Sequence, residues 1–212
     1  MNTSNQFTIS INALKGLDLL AAKGDIRYYL NGVHVIATKT HSRLESTNGH
    51  YCGIFVHEVT DGDNEVNGLV DFIVPLDEIK MLKPSSAKSL DVLTIEYDAA
   101  TKTGALNVLA GMSVRFTAID GKFPDLERVL PKTATSGVSS QYQVEYFGQF
   151  AKVAKLLSNK KTQDVKIWHN GDDVALVTLS DERYIGLLMP LRANATGPSN
   201  GLVPSSRFNT LK

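Results

Sequence analysis

Apolar and polar residues follow one another in this chain with two different periods. Near the N-terminus, Leu14, Leu17 and Ala21 recur at intervals of three and four residues. Residues at that spacing share one face of an α-helix. The pattern predicts a helix over 11–23, preceded by a short strand over 7–10.

The same order of elements, a strand, a helix and further strands, is predicted twice more at a spacing of about 65 residues, which indicates an internal repeat. The other two helices are predicted over 75–83 and 146–157. Asn31-Gly32 and Asn170-Gly171 are sequences typical of two-residue hairpins. The strands predicted after the first are 26–30, 33–38, 51–59, 71–74, 90–97, 105–109, 112–118, 142–145, 165–168, 174–179 and 185–189.

Two stretches rich in small and polar residues divide the chain. Residues 133–140 read Thr-Ala-Thr-Ser-Gly-Val-Ser-Ser and predict a linker. Residues 194–212 contain Gly, Pro and Ser among polar residues and predict a disordered tail. We therefore expect a domain of two repeat units over 1–132 and a third unit over 141–193.

Composition narrows the possible partners and the compartment. The chain has 212 residues, of which 42% are hydrophobic, and 22 basic residues balance 22 acidic ones. A net charge of zero argues against a protein that coats nucleic acid through bulk charge. Cys52 is the single cysteine, so we expect a reducing compartment. The chain contains no apolar run of about 18 residues, the length that would predict a membrane span. We therefore expect a soluble cytoplasmic protein.

No residue pattern indicates catalysis. The five histidines lack the spacing of a metal site, and neither a nucleophile motif nor a phosphate-binding loop is present. The acidic sequence Asp61 to Glu65 is similar to the start of a calcium loop, but Phe72 stands where a glutamate is required. We predict no enzyme activity, no metal and no cofactor.

The most distinctive stretch is Gly-Lys-Phe-Pro-Asp-Leu-Glu-Arg-Val-Leu-Pro at 121–131. Its two prolines fix φ and remove backbone donors, so the stretch can neither continue as a helix nor pair inside a sheet. It predicts an ordered crossing of the surface that serves as a binding platform. The alternative is a connector whose hydrophobic residues simply join the core.

This stretch resembles the Phe-Pro-Asp-x-x-Arg-Val-Leu-Pro signature of the bacterial DNA polymerase III beta subunit family, the sliding clamps. Arg27 to Gly32 resembles a strand and turn of the clamp's middle domain, and Thr38 to Leu44 resembles its Thr-Asp-Gly-His-Arg-Leu loop. Met189 to Arg192 resembles the Met-Pro-Met-Arg at the family's C-terminus. The resemblance implies an α+β DNA-clamp fold of strand-helix-strand modules, with sheets outside and helices inside.

A sliding clamp is a processivity factor, so the resemblance implies partners as well. These are double-stranded DNA, which is encircled without sequence preference, and peptides from DNA polymerase, the clamp loader or repair proteins. The chain has only half the modules of a complete clamp, matching the middle domain and the last module of the final domain. We therefore expect self-association, as four chains in a ring of about twelve modules or as a dimer that shares the third modules. The alternative is an adaptor that binds clamp-partner peptides without encircling DNA.

The resemblance also implies two sets of site residues. Leu44, Val129, Leu187 and Met189 are expected to form an apolar socket, although the last two could instead be ordinary core residues. Lysines on the helices are expected to face DNA phosphates, the alternative being an ordinary solvated face. The expected peptide-binding residues are Arg27, Tyr29, Thr38, His41, Leu44, Pro124, Arg128, Val129, Leu187, Met189 and Arg192. The expected DNA-binding residues are Lys15, Lys23, Lys80, Lys83, Lys152 and Lys155.

Overall fold

A computed structural model describes residues 4–59, 64–87, 90–109, 111–132, 141–158 and 162–191 of the chain. The helices in this part are α1 (Ile11–Asp18), α2 (Leu76–Met81) and α3 (Val144–Leu157). The strands are β1 (Ser4–Ile9), β2 (Gly32–Ala37), β3 (His41–Thr47), β4 (Tyr51–Glu58), β5 (Val70–Pro75), β6 (Leu93–Asp98), β7 (Thr103–Val108), β8 (Ser113–Thr117), β9 (Val165–Asn170), β10 (Asp173–Leu179) and β11 (Tyr184–Leu188). This combination of helices with antiparallel strands confirms the α+β class.

The strands form two antiparallel sheets. One has the order β1-β6-β7-β8 and the other the order β5-β2-β3-β4-β11-β10-β9. Strand β1 precedes α1 but pairs with β6 in the four-stranded sheet, and β5 precedes α2 but pairs with β2 in the seven-stranded sheet. The strand before each of these two helices therefore lies in the sheet opposite the strands that follow that helix. The ladder between β4 and β11 joins the segment after residue 140 to the rest of the fold, with Leu187 opposite Cys52.

A large apolar core lies between the two sheets and the three helices. Helix α1 packs against both α2 and α3. In the core the ring of Phe72 stacks on Tyr97 and on Phe116, with centroids 4.0 and 5.7 Å away. These contacts bury the apolar faces that the periodic pattern predicts.

Helix α1 begins where the sequence predicts and ends earlier. The Ser10 side chain accepts a hydrogen bond from the backbone N–H of Ala13 and caps the helix. The last turn then tightens, because Leu19 and Leu20 donate to carbonyls three residues back. The predicted helical extent to residue 23 is therefore wrong, and Ala22 lies in a different apolar cluster.

The predicted strand over 26–30 and its hairpin are also wrong. Tyr28–Leu30 is a short 3₁₀ turn, and the Asn31 side chain bonds both the N–H and the C=O of Asp25. Gly32 opens β2 at a close approach, since an added Cβ would lie 2.6 Å from the carbonyl oxygen of Val74. Asn31-Gly32 therefore closes a surface loop.

Two further elements correct the sequence prediction. The strand predicted over 142–145 is wrong, because α3 already begins at Val144. Strand β3 (His41–Thr47) is missing from the predicted strands. The hairpin at Asn170-Gly171 is confirmed, with φ of 61° at Gly171.

The predicted linker, the predicted tail and Asp61 of the acidic sequence lie outside the described residues. Among the described helices, none is long and apolar enough to cross a membrane.

Candidate functional site

A second apolar cluster lies on the face of the seven-stranded sheet that points away from the helices. We call this face the outer face. Side chains from the sheet and from two overlying segments contribute to the cluster. Its buried members are Ala22, Leu30, Cys52, Ile54, Ile73, Phe123, Leu126 and Leu187.

Residues 121–131, which we call the platform, cross this outer face. Phe123 and Leu126 are 7% and 5% exposed and anchor the stretch in the cluster. A 3₁₀ turn follows over Leu126–Val129, where the Asp125 side chain accepts a hydrogen bond from the N–H of Glu127. Val129 is 46% exposed. The stretch is thus both anchored and exposed, as a platform requires.

Strand β11 lies on the same face. Leu187 lies on the outer side of β11 and is buried in the cluster, and Met189 directly follows the end of the strand. Met189 is 44% exposed, and its N–H bonds the carbonyl of His50 at 2.9 Å. Half-buried Leu176 and Leu130 pack against the cluster. The outer face therefore presents partly exposed apolar side chains on a rigid sheet.

Leu44 is not part of this surface, which corrects the predicted socket. It is 1% exposed in the core between the sheets and helices, opposite Phe55 in the β3–β4 ladder. Arg43 and Glu45 therefore face outward. Residues 38–44 are seven in number, against six in the family's Thr-Asp-Gly-His-Arg-Leu, and a shift of one residue moves a side chain to the other face of a sheet.

A chain of charged groups runs beneath the platform. The His34 ring contacts Glu45 through Nδ1 at 3.0 Å and Asp71 through Nε2 at 2.9 Å. Arg43 pairs with Glu45, and its guanidinium donates to Glu127 Oε1 at 2.6 Å. Four of these residues belong to the sheet and Glu127 belongs to the 3₁₀ turn. The network therefore ties the turn to the sheet.

Burial and pairing shift the pKa values on this face. Burial opposes protonation of His34, but the hydrogen bonds to Glu45 and Asp71 outweigh it and raise the pKa of His34 above its ordinary value. Burial raises the pKa of the Cys52 thiol to about 12. At neutral pH the thiol is therefore uncharged, and His34 keeps its imidazolium form to higher pH than an ordinary histidine does.

The remaining peptide-site residues lie at different distances from this cluster. Tyr29 packs against it, and an added Cβ on Gly121 would lie 2.8 Å from the Cβ of Tyr29. Exposed Arg27 donates to Asp25 in its own loop. Tyr29 thus joins the platform directly.

The β2–β3 turn contains two more of the predicted residues. The Thr38 hydroxyl accepts a hydrogen bond from the N–H of His41 at 3.1 Å. Pro124 and Arg128 are exposed, and Arg128 pairs with Asp125 in its own turn. Arg192 lies outside the described residues.

The predicted DNA-facing lysines lie on or just after the helices. Lys15 donates to the carbonyl of Ile79, and Lys80 pairs with Asp77 at 2.8 Å. Burial raises the pKa of Asp18, and the nearby charges of Lys15, Lys23 and Lys80 oppose that shift. Carboxylates therefore offset part of the positive charge beside α1 and α2.

Helix α3 carries its lysines differently. Phe150, Val153 and Ala154 are buried, whereas Lys152 and Lys155 are exposed. This helix therefore presents two lysines to solvent on the side away from the core. Lys83, after α2, is also exposed.

A polar cleft of about 820 Å³ lies at the other face, between the start of α1 and the β10–β11 turn. Asp91 fixes one wall by accepting hydrogen bonds from the Asn12 N–H and the Ser10 hydroxyl, each at 2.8 Å. On the other wall Arg183 pairs with Asp181. Across the described ranges, no group of three or more His, Cys, Asp or Glu side chains could hold a metal ion.

Comparison with known proteins gives a consistent result. No protein-family model matches the chain. The beta sliding clamp of Proteus mirabilis is 30% identical over 175 residues, covering 76% of this chain and 43% of that protein. The beta sliding clamp of Pseudomonas putida is 28% identical over 154 residues, covering 69% of this chain and 38% of that protein. The chain thus spans less than half the length of the curated relatives it matches.

Solved structures share the fold. A sliding clamp from Pseudomonas aeruginosa bound to griselimycin matches with a TM-score of 0.65 and 19% identity, covering 89% of this chain and 65% of that one. The DNA polymerase III beta subunit of Thermotoga maritima matches with a TM-score of 0.64 and 14% identity, covering 89% and 66%. Sequence similarity and shared fold together identify the chain as a relative of the bacterial beta sliding clamp.

Proposed function

We propose that this protein is a non-enzymatic sliding clamp, or a reduced form of one, that holds DNA polymerase and other replication or repair proteins on DNA. The observation that carries the proposal is the platform on the outer face, where Phe123 and Leu126 anchor a stretch that leaves Val129 exposed. The platform lies over the sheet that β4 and β11 share. Curated relatives named beta sliding clamp support the same function.

The ligand at this site is a short linear peptide that buries bulky apolar residues at its end. Val129 and Met189 remain the exposed apolar contacts of the predicted socket, the buried Leu187 forms its floor, and Leu176 replaces Leu44 as the fourth member. Burial of apolar surface supplies about 25 cal/mol per Å². Exposed charged and polar groups of the rim then orient the peptide backbone. The proposed rim residues are Arg27, Tyr29, Thr38, His41, Pro124, Arg128 and Arg192.

The module arrangement follows the internal repeat. Two modules over 1–132 and a third over 141–193 place their helices inside and their sheets outside. The β4–β11 ladder supports this division, because it joins the third module to the first by the last strand of each. In a closed ring of about twelve modules, four such chains suffice, and a dimer sharing the third modules is the other arrangement.

The helix lysines face the DNA inside the ring. They contact phosphates through their charge and read no sequence. Asp77 and Asp18 weaken the group beside α1 and α2, so encirclement, rather than affinity, retains the protein on DNA.

A second candidate function is an adaptor that binds clamp-partner peptides without forming a ring. The partial charge compensation around Asp18 favours it, because an adaptor needs no contact with phosphate. Both candidates use the same peptide site.

Peptide binding tests the proposal directly. We expect a fluorescein-labelled octapeptide ending in Leu-Phe to bind with a dissociation constant of about micromolar size, which corresponds to about −8 kcal/mol. A matched octapeptide ending in Ser-Ser should not bind. If both peptides bind equally well, or neither binds, the outer face is not a peptide site.

A further inference from the structure

His34 is a histidine buried beneath the platform, and each of its ring nitrogens faces a carboxylate. The distances are 3.0 Å to Glu45 and 2.9 Å to Asp71. A neutral imidazole has only one N–H, so it can donate to only one of these partners, whereas the imidazolium donates to both. The geometry therefore fits the protonated ring better than the neutral one.

Two connections link this ring to the platform. The ring of Phe123 stacks on it with centroids 4.7 Å apart and planes 23° apart. A positive charge over the face of an aromatic ring is attractive. The second connection runs from Glu45 to Arg43 and from Arg43 to Glu127 in the 3₁₀ turn. Protonation of one buried ring therefore acts on the platform at two points, Phe123 and Glu127.

We propose that protonated His34 is a positioning residue for the peptide site, holding the 3₁₀ turn in place through Glu45 and Arg43. Loss of the proton leaves Glu45 with Arg43 alone as its cation among the described residues, so Glu45 competes more strongly with Glu127 for Arg43, and the Phe123 stack weakens. The turn then loosens and peptide affinity falls. This inference rests on the proposed peptide site and names the group that regulates it.

The groups around His34 fix the direction of the pH dependence. The facing charges are Asp71 from β5, Glu45 and Arg43 from β3, and Glu127 from the turn. Cys52 on β4 stays neutral because burial raises its pKa to about 12. A group with a raised folded pKa stabilises the folded arrangement below its unfolded pKa, and this stabilisation is lost as pH rises through the folded pKa.

The pH window follows from the same group. The pKa of His34 is raised above the ordinary value of 6.5. The turn is therefore held in place below pH 6.5, and it is released as the pH rises through the raised pKa of His34. Peptide affinity should fall with rising pH across the same window.

The test is a pH titration of the peptide-free protein followed by NMR. The amide signals of Leu126–Val129 should shift with the same midpoint as the His34 ring signal. In Asp71→Asn, which removes one facing carboxylate at an exposed position, both midpoints should move down together. His34→Gln should abolish the transition of the amides. His57→Gln is the matched control, because His57 lines the cleft on the other face, and it should leave the transition unchanged.

Peptide binding is measured across the same pH range. The dissociation constant of the Leu-Phe octapeptide should rise about ten-fold or more through the transition, as loss of one hydrogen bond to a charged group implies. The inference would be overturned if the amide signals of the turn titrate with a midpoint different from that of the His34 ring. It would also be overturned if peptide affinity does not change over the same pH range as these amide signals. If the amides follow His34 but no octapeptide binds at any pH, the coupling of His34 to the turn stands and the proposed peptide function falls.

Discussion

The ring of Phe123 lies nearly parallel to the imidazole of His34, with centroids 4.7 Å apart. Phe123 comes from the platform and His34 from β2, so this pair fastens a surface stretch to the interior of the sheet. Phe123 is also buried in the outer-face cluster with Leu126. Phe123 therefore fastens the platform to the sheet through two contacts, the ring of His34 and the outer-face cluster.

We expect Phe123→Ala to lower the free energy of unfolding by about 3–4 kcal/mol, because it leaves a cavity and removes the ring contact. Urea unfolding followed by circular dichroism measures the change. Phe123→Leu is the matched control and should cost only about 1–1.5 kcal/mol, since it keeps most of the apolar volume. Equal midpoints for the parent and Phe123→Ala would show that the ring does not anchor the platform.

Leu44 and Met189 should respond in opposite ways to substitution. Leu44→Ala empties a fully buried position between the sheet and the helices and should cost about 2–5 kcal/mol of stability. Peptide affinity of the folded variant should stay within two-fold of the parent, to about 0.4 kcal/mol.

Met189→Lys changes a side chain that is 44% exposed. It should leave stability nearly unchanged and abolish peptide binding, because a charge then occupies the apolar contact.

Measurements on both variants need the parent fold, so circular dichroism and oligomer size are recorded first. A folded Met189→Lys protein that binds the Leu-Phe octapeptide as well as the parent would contradict the assignment of Met189. A Leu44→Ala protein that is folded but no longer binds the peptide would show that the socket depends on Leu44 in the core between the sheets and helices.

The difference between Leu44 and Arg43 also shows how far the sequence predicts this site. Apolar periodicity located α1, α3 and most strands, because one face of each is buried in the core. It missed β3, whose Ser42, Arg43 and Glu45 are polar although they lie in the middle of a sheet. These side chains are satisfied by partners distant in sequence, such as Glu127 and His34.

The charged network beneath the platform could not be predicted for the same reason. A lone histidine or arginine carries no sequence pattern that names its partner, and the pairs form only when β2, β3 and β5 lie side by side. The platform itself was predictable, because its prolines and apolar residues are adjacent in the chain. Resemblance to a family supplied the site residues, but it placed Leu44 on the wrong face.

Cys52 should be unreactive in the folded protein. It is buried beneath the platform, and burial raises the pKa of its thiol to about 12. Since the thiolate is the reactive form, Ellman's reagent should label it only when the outer face opens. We expect labelling to be slow at pH 8 in the parent and much faster in Phe123→Ala. Rapid labelling of the folded parent would show that the platform does not cover Cys52.

Charge changes on the helices should alter contact with DNA in opposite directions. Lys152→Glu combined with Lys155→Glu should weaken binding to DNA and reduce the slope of log affinity against log salt by about 2, or more if the new carboxylates repel phosphates. Asp18→Asn removes a carboxylate from among Lys15, Lys23 and Lys80. It should strengthen binding and make the slope steeper. Electrophoretic mobility shifts at several salt concentrations measure both. A salt slope unchanged in both variants would favour the adaptor function.

The last prediction separates the ring from the adaptor by topology. Light scattering at micromolar concentration should show a tetramer or a dimer, because the third module shares a sheet with the first and has no second module of its own domain. With a cognate loader present, the protein should then remain on nicked circular DNA and leave the same DNA after linearisation, since weak phosphate contact alone cannot hold it there. An excess of the Leu-Phe octapeptide added after loading is the informative control: the protein should stay on circles with its peptide site occupied, which shows that retention depends on the ring and not on the peptide site. A monomer by light scattering, or equal retention on circular and linear DNA, would contradict encirclement and leave the adaptor as the function of the outer face.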